Sequence, residues 1–402
     1  MKLVLSEPVA VAVGPDARYA SWGPFQFPDI VQNDSGRMYY LFNDNPDSEK
    51  SYGSGRRVFF SDDEGLHWQE TDYASCRGDL GIKLPSGERL RECVPPSLPL
   101  DQLQGQLPEP LILQTKNLNN RIYRMEEVHC CEDTWFFIRT TPEHPEGVKE
   151  KVRLDWPGML IRSCRGVLVQ PSPRGRIRVA PDGTLWMPHY YFAGETESGE
   201  PEPYLCNYLF RSEDHGHSWS LVHKLLYQPE YFDYPNAELL EGFGENDIGF
   251  APDGSLIRLI RAGNCNQPPF LGPCCITRST DNGQHWSAPA IFDDHGVWPC
   301  LLTLPCGVML ASYGRPGVSV RASRDPSGLV WEDPVEIVHA EPQSAHTAGT
   351  ILEKATCGYT NLLPLGERKA ALVYSDFTRK DDHGIPRKTM MFRTITIEGE
   401  SC

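Results

Sequence analysis

The stretch Ser61-Asp62-Asp63-Glu64-Gly65-Leu66-His67-Trp68 decides the reading of this chain, because it recurs. It returns as Ser212-Glu213-Asp214-His215-Gly216-His217-Ser218-Trp219 and again as Ser279-Thr280-Asp281-Asn282-Gly283-Gln284-His285-Trp286. A looser copy, one residue longer, runs from Ser323 through Asp325 and Gly328 to Trp331. The shared pattern is S-x-D-x-G-x-x-W, and its chemistry is that of a hairpin turn. The Asp carboxylate accepts turn N–H groups, the Gly permits positive φ, and the Trp returns as a large apolar anchor. Each copy follows a strand-like run such as Arg57-Val58-Phe59-Phe60 or Tyr208-Leu209-Phe210-Arg211. The motif aspartates therefore read as structural, and His67, His217 and His285 as surface residues.

A second recurrence lies between these copies. Tight turns at Asp34-Ser35-Gly36, Pro85-Ser86-Gly87, Pro181-Asp182-Gly183, Pro252-Asp253-Gly254, Pro305-Cys306-Gly307 and Leu365-Gly366 are flanked by short apolar runs, for instance Met38-Tyr39-Tyr40-Leu41-Phe42. These are strand compositions bounded by turn residues. Six turns predict an all-β chain, a six-bladed β-propeller occupying residues 1–402 as a single domain. The gap between Gly87 and Gly183 leaves a seventh blade open, or an insertion rich in Pro and charge around Pro142 to Pro173. Pairing of a first strand near Val4–Val13 with a last strand at Met390–Ile397 would leave no open sheet edge.

Composition agrees with this class. With 35 Gly and 35 Pro in 402 residues, turns are dense and long helices disfavoured. A formal net charge of −16 repels phosphate backbones and anionic lipid, so neither nucleic acid nor a membrane surface is an expected partner. No run of ~18 apolar residues is present to span a bilayer as a helix. The N-terminal stretch is interrupted by Ser6, Glu7 and Pro8 and does not read as a signal peptide; with thirteen cysteines lacking metal-type spacing, a cytoplasmic location with reduced thiols is expected. No metal or organic cofactor is implied.

The octapeptide is the Asp-box, and with the turn-and-strand frame the chain resembles the sialidase (neuraminidase) superfamily over nearly its whole length. That resemblance implies a propeller with a sugar-handling pocket on its axis: three arginines for a carboxylated sugar, a Tyr nucleophile activated by a Glu, and an Asp acid/base. Gly244-Glu245-Asn246-Asp247, followed across one hairpin by Arg261, looks like the Glu strand and second arginine. Tyr313-Gly314-Arg315-Pro316 looks like the third-arginine segment, and Cys357-Gly358-Tyr359-Thr360-Asn361 like the nucleophile segment. Asp47 stands where the family places its acid/base, with Asp44 as rival; His189, after an inner strand, is a further candidate for substrate contact or base. A phenol is a poor nucleophile at neutral pH unless a carboxylate takes its proton, and arginines offer a carboxylate a permanently charged fork.

One position departs from the family. Its first arginine belongs in an F-R-I-P-like segment, and here Phe25-Gln26-Phe27-Pro28 carries Gln26 instead. Losing one charge-assisted contact to a carboxylate costs on the order of 2–4 kcal/mol. Three functions are compatible with these residues. The first is an exo-acting glycoside hydrolase removing a terminal, anionic sugar from an oligosaccharide or glycoside. The second is a lyase on a uronic-acid glycoside, similar to rhamnosyl-glucuronate or ulvan lyases, with His189 or Tyr359 as base. The third is a non-catalytic glycan-binding propeller. Oligomeric state is not readable from the sequence.

Overall fold

Short β-branched and aromatic runs separated by glycine turns leave little room for helix, and the computed structural model is built almost entirely of strands. It describes residues 2–20, 23–45, 55–116, 120–263, 272–340 and 355–399.

Six sheets follow one another along the chain, each an antiparallel meander whose first two strands are joined by one of the turns read from the sequence. The first contains Gln26–Gln32, Met38–Asn43, Arg56–Ser61 and Gln69–Thr71. The second contains Ile82–Lys83, Arg89–Cys93, Phe136–Thr140 and Val148–Lys151. The third runs Arg178–Val179, Leu185–Tyr191, Cys206–Ser212 and Ser218–Leu225, with Arg153–Asp155 added parallel to its last strand. The fourth spans Phe243–Phe250 to Ala290–Asp293, and the fifth Val297–Thr303 to Val335–Val338.

The sixth sheet joins the two ends of the chain. Arg387–Glu398 pairs with Lys2–Leu5 in the register Leu3↔Ile397 and with Val9–Asp16 in the register Val9↔Phe392. This is the terminal pairing expected from the sequence. The long gap between Gly87 and Gly183 holds a further four-stranded sheet of Leu98–Pro99, Arg121–Arg124, Leu160–Cys164 and Val167–Val169.

Hydrogen bonds tie each sheet to the next. Arg89 Nη2 donates to Gln32 O at 3.0 Å between the first and second, and Arg139 Nη2 to His215 O at 3.0 Å between the second and third. Asn207 Nδ2 donates to Phe243 O at 2.8 Å, and Thr303 Oγ1 to Phe250 O at 2.7 Å. The fifth meets the sixth through Cys306 N and Glu367 O at 3.2 Å, and Tyr40 Oη of the first donates to Tyr374 O of the sixth at 3.0 Å.

The octapeptide turns explain a second layer of contacts. In the first copy Ser61 Oγ donates to Asp63 Oδ1 at 2.8 Å, Gly65 N donates to Ser61 Oγ at 2.9 Å, and His67 N donates to Asp63 Oδ1 at 2.9 Å. The same bonds recur at Ser279, Asp281, Gly283 and His285. The glycine serves packing as well as conformation. At Gly65 (φ +89°) a Cβ would lie 2.2 Å from the Phe392 ring; at Gly216, Gly283 and Gly328 it would meet Leu90, Leu209 and Ile257. In every copy the abutted residue belongs to the preceding sheet, and for the first copy that predecessor is the sixth. His67 and His285 are exposed, as expected.

Candidate active site

Three inner strands break their ladders at the same place. Gln26↔Asn43 is followed by Asp29↔Leu41, Phe243↔Ala262 by Asn246↔Ile260, and Val297↔Gly314 by Cys300↔Ser312. Each is a bulge with one extra residue on the inner strand, a device that re-aims side chains. The residues it releases are Phe27, Glu245 and Trp298, and Phe27 and Trp298 take positive φ values of 55° and 44°. Below the bulges a polar scaffold holds the strands in place. Asp29, Asp247 and Asn361 each accept the N–H of the following residue. Asn361 Nδ2 also donates to Asp29 at 2.6 Å, and Asp247 accepts from Leu301 N at 2.8 Å and pairs with Arg178.

Above this scaffold the three released side chains meet Tyr359. Its hydroxyl donates to Glu245 Oε1 at 2.8 Å. Phe27 approaches the ring edge-on at 4.6 Å between centroids, and Trp298 at 5.9 Å. The other carboxylate oxygen, Glu245 Oε2, accepts from Arg261 Nη1 at 2.8 Å and from Trp298 N at 3.3 Å. The Arg315 guanidinium lies 5.7 Å from the Tyr359 ring centroid, and its Nη2 donates to Cys357 O at 3.0 Å. That approach is close because Gly314 has no side chain: a Cβ there would sit 2.2 Å from Gly358 O. Burial pushes the Glu245 pKa up, but the Arg261 charge and hydrogen bond, the Tyr359 hydroxyl and Arg315 outweigh it, and the net shift is downward. Glu245 is thus a buried carboxylate held in its charged form beside a phenol.

The structure brings together Glu245, Tyr359, Arg261 and Arg315 as the sequence predicts. Two further candidates are buried. Gln26 is fully enclosed, its neighbours Phe25 and Phe27 both having positive φ. His189 is likewise enclosed, with Trp135, Trp156 and Phe210 rings 5.3–5.9 Å away. Its Nδ1 accepts the Arg174 N–H at 3.1 Å, and burial with the Arg174 charge holds it neutral. Asp44 is half-buried, 3.8 Å from Arg57, and burial raises its pKa. Asp47 lies outside the described residues.

Sequence reasoning missed a second set of charges. Arg174, Arg176 and Arg178 alternate along the segment leading into the third sheet, and this i, i+2, i+4 spacing was the available signal. Arg178 is taken by Asp247; Arg176 donates to Pro299 O at 2.8 Å and Thr360 O at 2.7 Å and lies over Trp298. Glu92, near the end of the second strand of the second sheet, is solvent-exposed, and the bulk of protein around it pushes its carboxyl pKa up to about 7. For metals, Asp293, Asp294 and His295 can bring one ligand atom each within 4.8 Å of one another. Asp293 is already engaged by the Tyr313 hydroxyl at 2.6 Å and by Arg321 at 2.9 Å.

No protein-family model matches the chain, and no curated protein matches it. Among solved structures, it is similar to a Dyadobacter fermentans protein of unknown function, with a TM-score of 0.57 at 15% identity over 98% of this chain and 99% of that one. The fold is shared. The Hadza microbial sialidase Hz136 is similar with a TM-score of 0.49 at 13% identity, over 94% of this chain and 68% of that one. A Penicillium chrysogenum α-L-arabinanase, solved with arabinobiose, is similar with a TM-score of 0.48 at 12% identity, over 97% and 98%.

Proposed function

We propose that the six meanders form a six-bladed propeller of sialidase type and that the protein is an exo-acting glycoside hydrolase on a terminal, anionic sugar. The observation that carries this reading is the hydrogen bond from Tyr359 Oη to Glu245 Oε1, with Arg261 on the other carboxylate oxygen. Tyr359 is the nucleophile and Glu245 its base. Arg261 and Arg315 hold the sugar's carboxylate in place of a three-arginine clamp.

The Arg261 contact has two consequences. In the free protein it keeps Glu245 charged but also lowers its basicity. A sugar carboxylate that engages Arg261 shares that positive charge, so Glu245 becomes a stronger base only when substrate is in place. Substrate binding and phenol activation are then coupled through one guanidinium. The test is release of sugar from chromogenic glycosides with terminal anionic sugars. Tyr359→Phe should abolish release and Glu245→Gln should lower it by about 10²–10⁴-fold, and wild-type levels in both would overturn the reading. Ultraviolet absorbance of an unsaturated uronate would mark elimination instead, with Tyr359 as base.

A further inference from the structure

Five stretches of chain meet around a cavity of about 10 Å³ beside His189, room for one small occupant. Trp135 stands just before Phe136–Thr140 of the second sheet, and Trp156 just after Arg153–Asp155. Arg162 belongs to Leu160–Cys164 of the further four-stranded sheet, and His189 and Tyr191 to Leu185–Tyr191 of the third. Arg174, on the segment leading into that third sheet, completes the wall. Among the described residues lining the cavity, none is a carboxylate.

Three ring nitrogens of this wall are buried donors that lack an acceptor. Trp135 Nε1, Trp156 Nε1 and His189 Nε2 have no hydrogen-bond partner among the described residues. The His189 tautomer follows from its other nitrogen: Nδ1 accepts the Arg174 N–H at 3.1 Å. Burial and the Arg174 charge keep the ring neutral, so its single N–H is on Nε2. The three rings form one cluster, with centroids 5.3–6.0 Å apart. Buried donors are costly to leave unpaired and are rarely left so. Positive charge accompanies them. The buried Arg162 guanidinium donates to Asn120 Oδ1 at 2.7 Å and lies 3.9 Å from the Phe192 ring centroid. Tyr191 senses this field: burial raises its pKa, and Arg162 and Arg174 oppose the rise.

We propose that this cavity binds one halide ion, chloride or bromide, among Trp135, Trp156 and His189. A water molecule accepts two hydrogen bonds and must place two protons of its own. A halide only accepts, so it suits a wall of N–H donors, and both guanidiniums attract it. The positive edges of the surrounding aromatic rings favour it further. A carboxylate or phosphate group is too large for the space. Held there, the ion fastens the further four-stranded sheet to the second and third sheets, whatever reaction the protein performs.

The experiment compares the full chain in sodium chloride, bromide and gluconate at one ionic strength. Chloride and bromide should raise the thermal midpoint of wild type saturably above that in gluconate, because a ligand of the folded state stabilises it by mass action. Crystals grown in bromide should show an anomalous peak bounded by Trp135, Trp156 and His189. Trp135→Phe and Trp156→Phe each keep an aromatic ring and delete one donor, and should weaken bromide about tenfold or more. Trp331→Phe should bind as wild type does, since Trp331 Nε1 donates to Gly328 O at 2.8 Å instead. A wild-type midpoint equal in all three salts would overturn the proposal. So would a water at the position with no anomalous signal, or bromide affinity unchanged in both Trp135→Phe and Trp156→Phe. The two wild-type measurements decide the matter even where a variant fails to fold.

Discussion

Tyr359 and Glu245 stand 114 residues apart in the chain and are joined by a 2.8 Å hydrogen bond inside the protein. Removing the hydroxyl leaves Glu245 still bonded to Arg261 and to Trp298 N, so no buried charge is stranded. Tyr359→Phe should therefore cost about 1.5–3 kcal/mol of stability, the range for a hydrogen bond to a charged group. Glu245→Gln keeps the shape and removes the base, and should lower turnover by about 10²–10⁴-fold. Unfolding curves and kinetics on one preparation of each variant check both statements.

Arg261→Met strands the carboxylate. Breaking a buried ion pair by removing one partner costs about 3–5 kcal/mol. The pH dependence should change with it. In wild type the Glu245 pKa lies below its ordinary value of 4.5, so its contribution to stability is full above 4.5 and is lost as pH falls through the lower folded value. Without Arg261 the largest opposition to burial is gone, and that acid-side loss should disappear. Urea unfolding at a series of pH values below 6 reads the difference.

Gly65→Ala tests the contact between the first octapeptide turn and Phe392. The new Cβ would need positive φ and would overlap the ring. Overpacking of this kind typically costs about 1–3 kcal/mol. The thermal midpoint should fall while kcat of the folded enzyme is unchanged, because the turn carries none of the site residues.

His189 should remain neutral across the physiological range. Its pKa lies well below 6.5 because it is buried and because Arg174 is nearby. As pH falls through 6.5 the unfolded chain binds a proton there and the folded chain does not, so this residue lowers stability on the acid side. Its ring proton chemical shifts in NMR should stay constant between pH 8 and 6; a midpoint near 6.5 would contradict the enclosure.

The six tight turns and the terminal pairing were legible because each is a local signal: a turn glycine between apolar runs, and a strand composition at each end. The Glu245, Arg261, Arg315 and Tyr359 set was legible only through the family resemblance, since no local pattern ties residue 245 to 359. Sequence order does not show that Gln26, between two residues of positive φ, is buried. His189 follows an inner strand, and nothing nearby in sequence announces that Trp135 and Trp156 close over it.

The glycine latches impose an order of assembly. Gly216, Gly283 and Gly328 each seat against a sheet made earlier during synthesis, so those units can dock as they emerge from the ribosome. Gly65 must wait for Phe392, which lies near the far end of the chain. The first unit translated is consequently the last to be locked, and nascent chains halted before residue 392 should expose it to protease while the middle of the molecule is already protected.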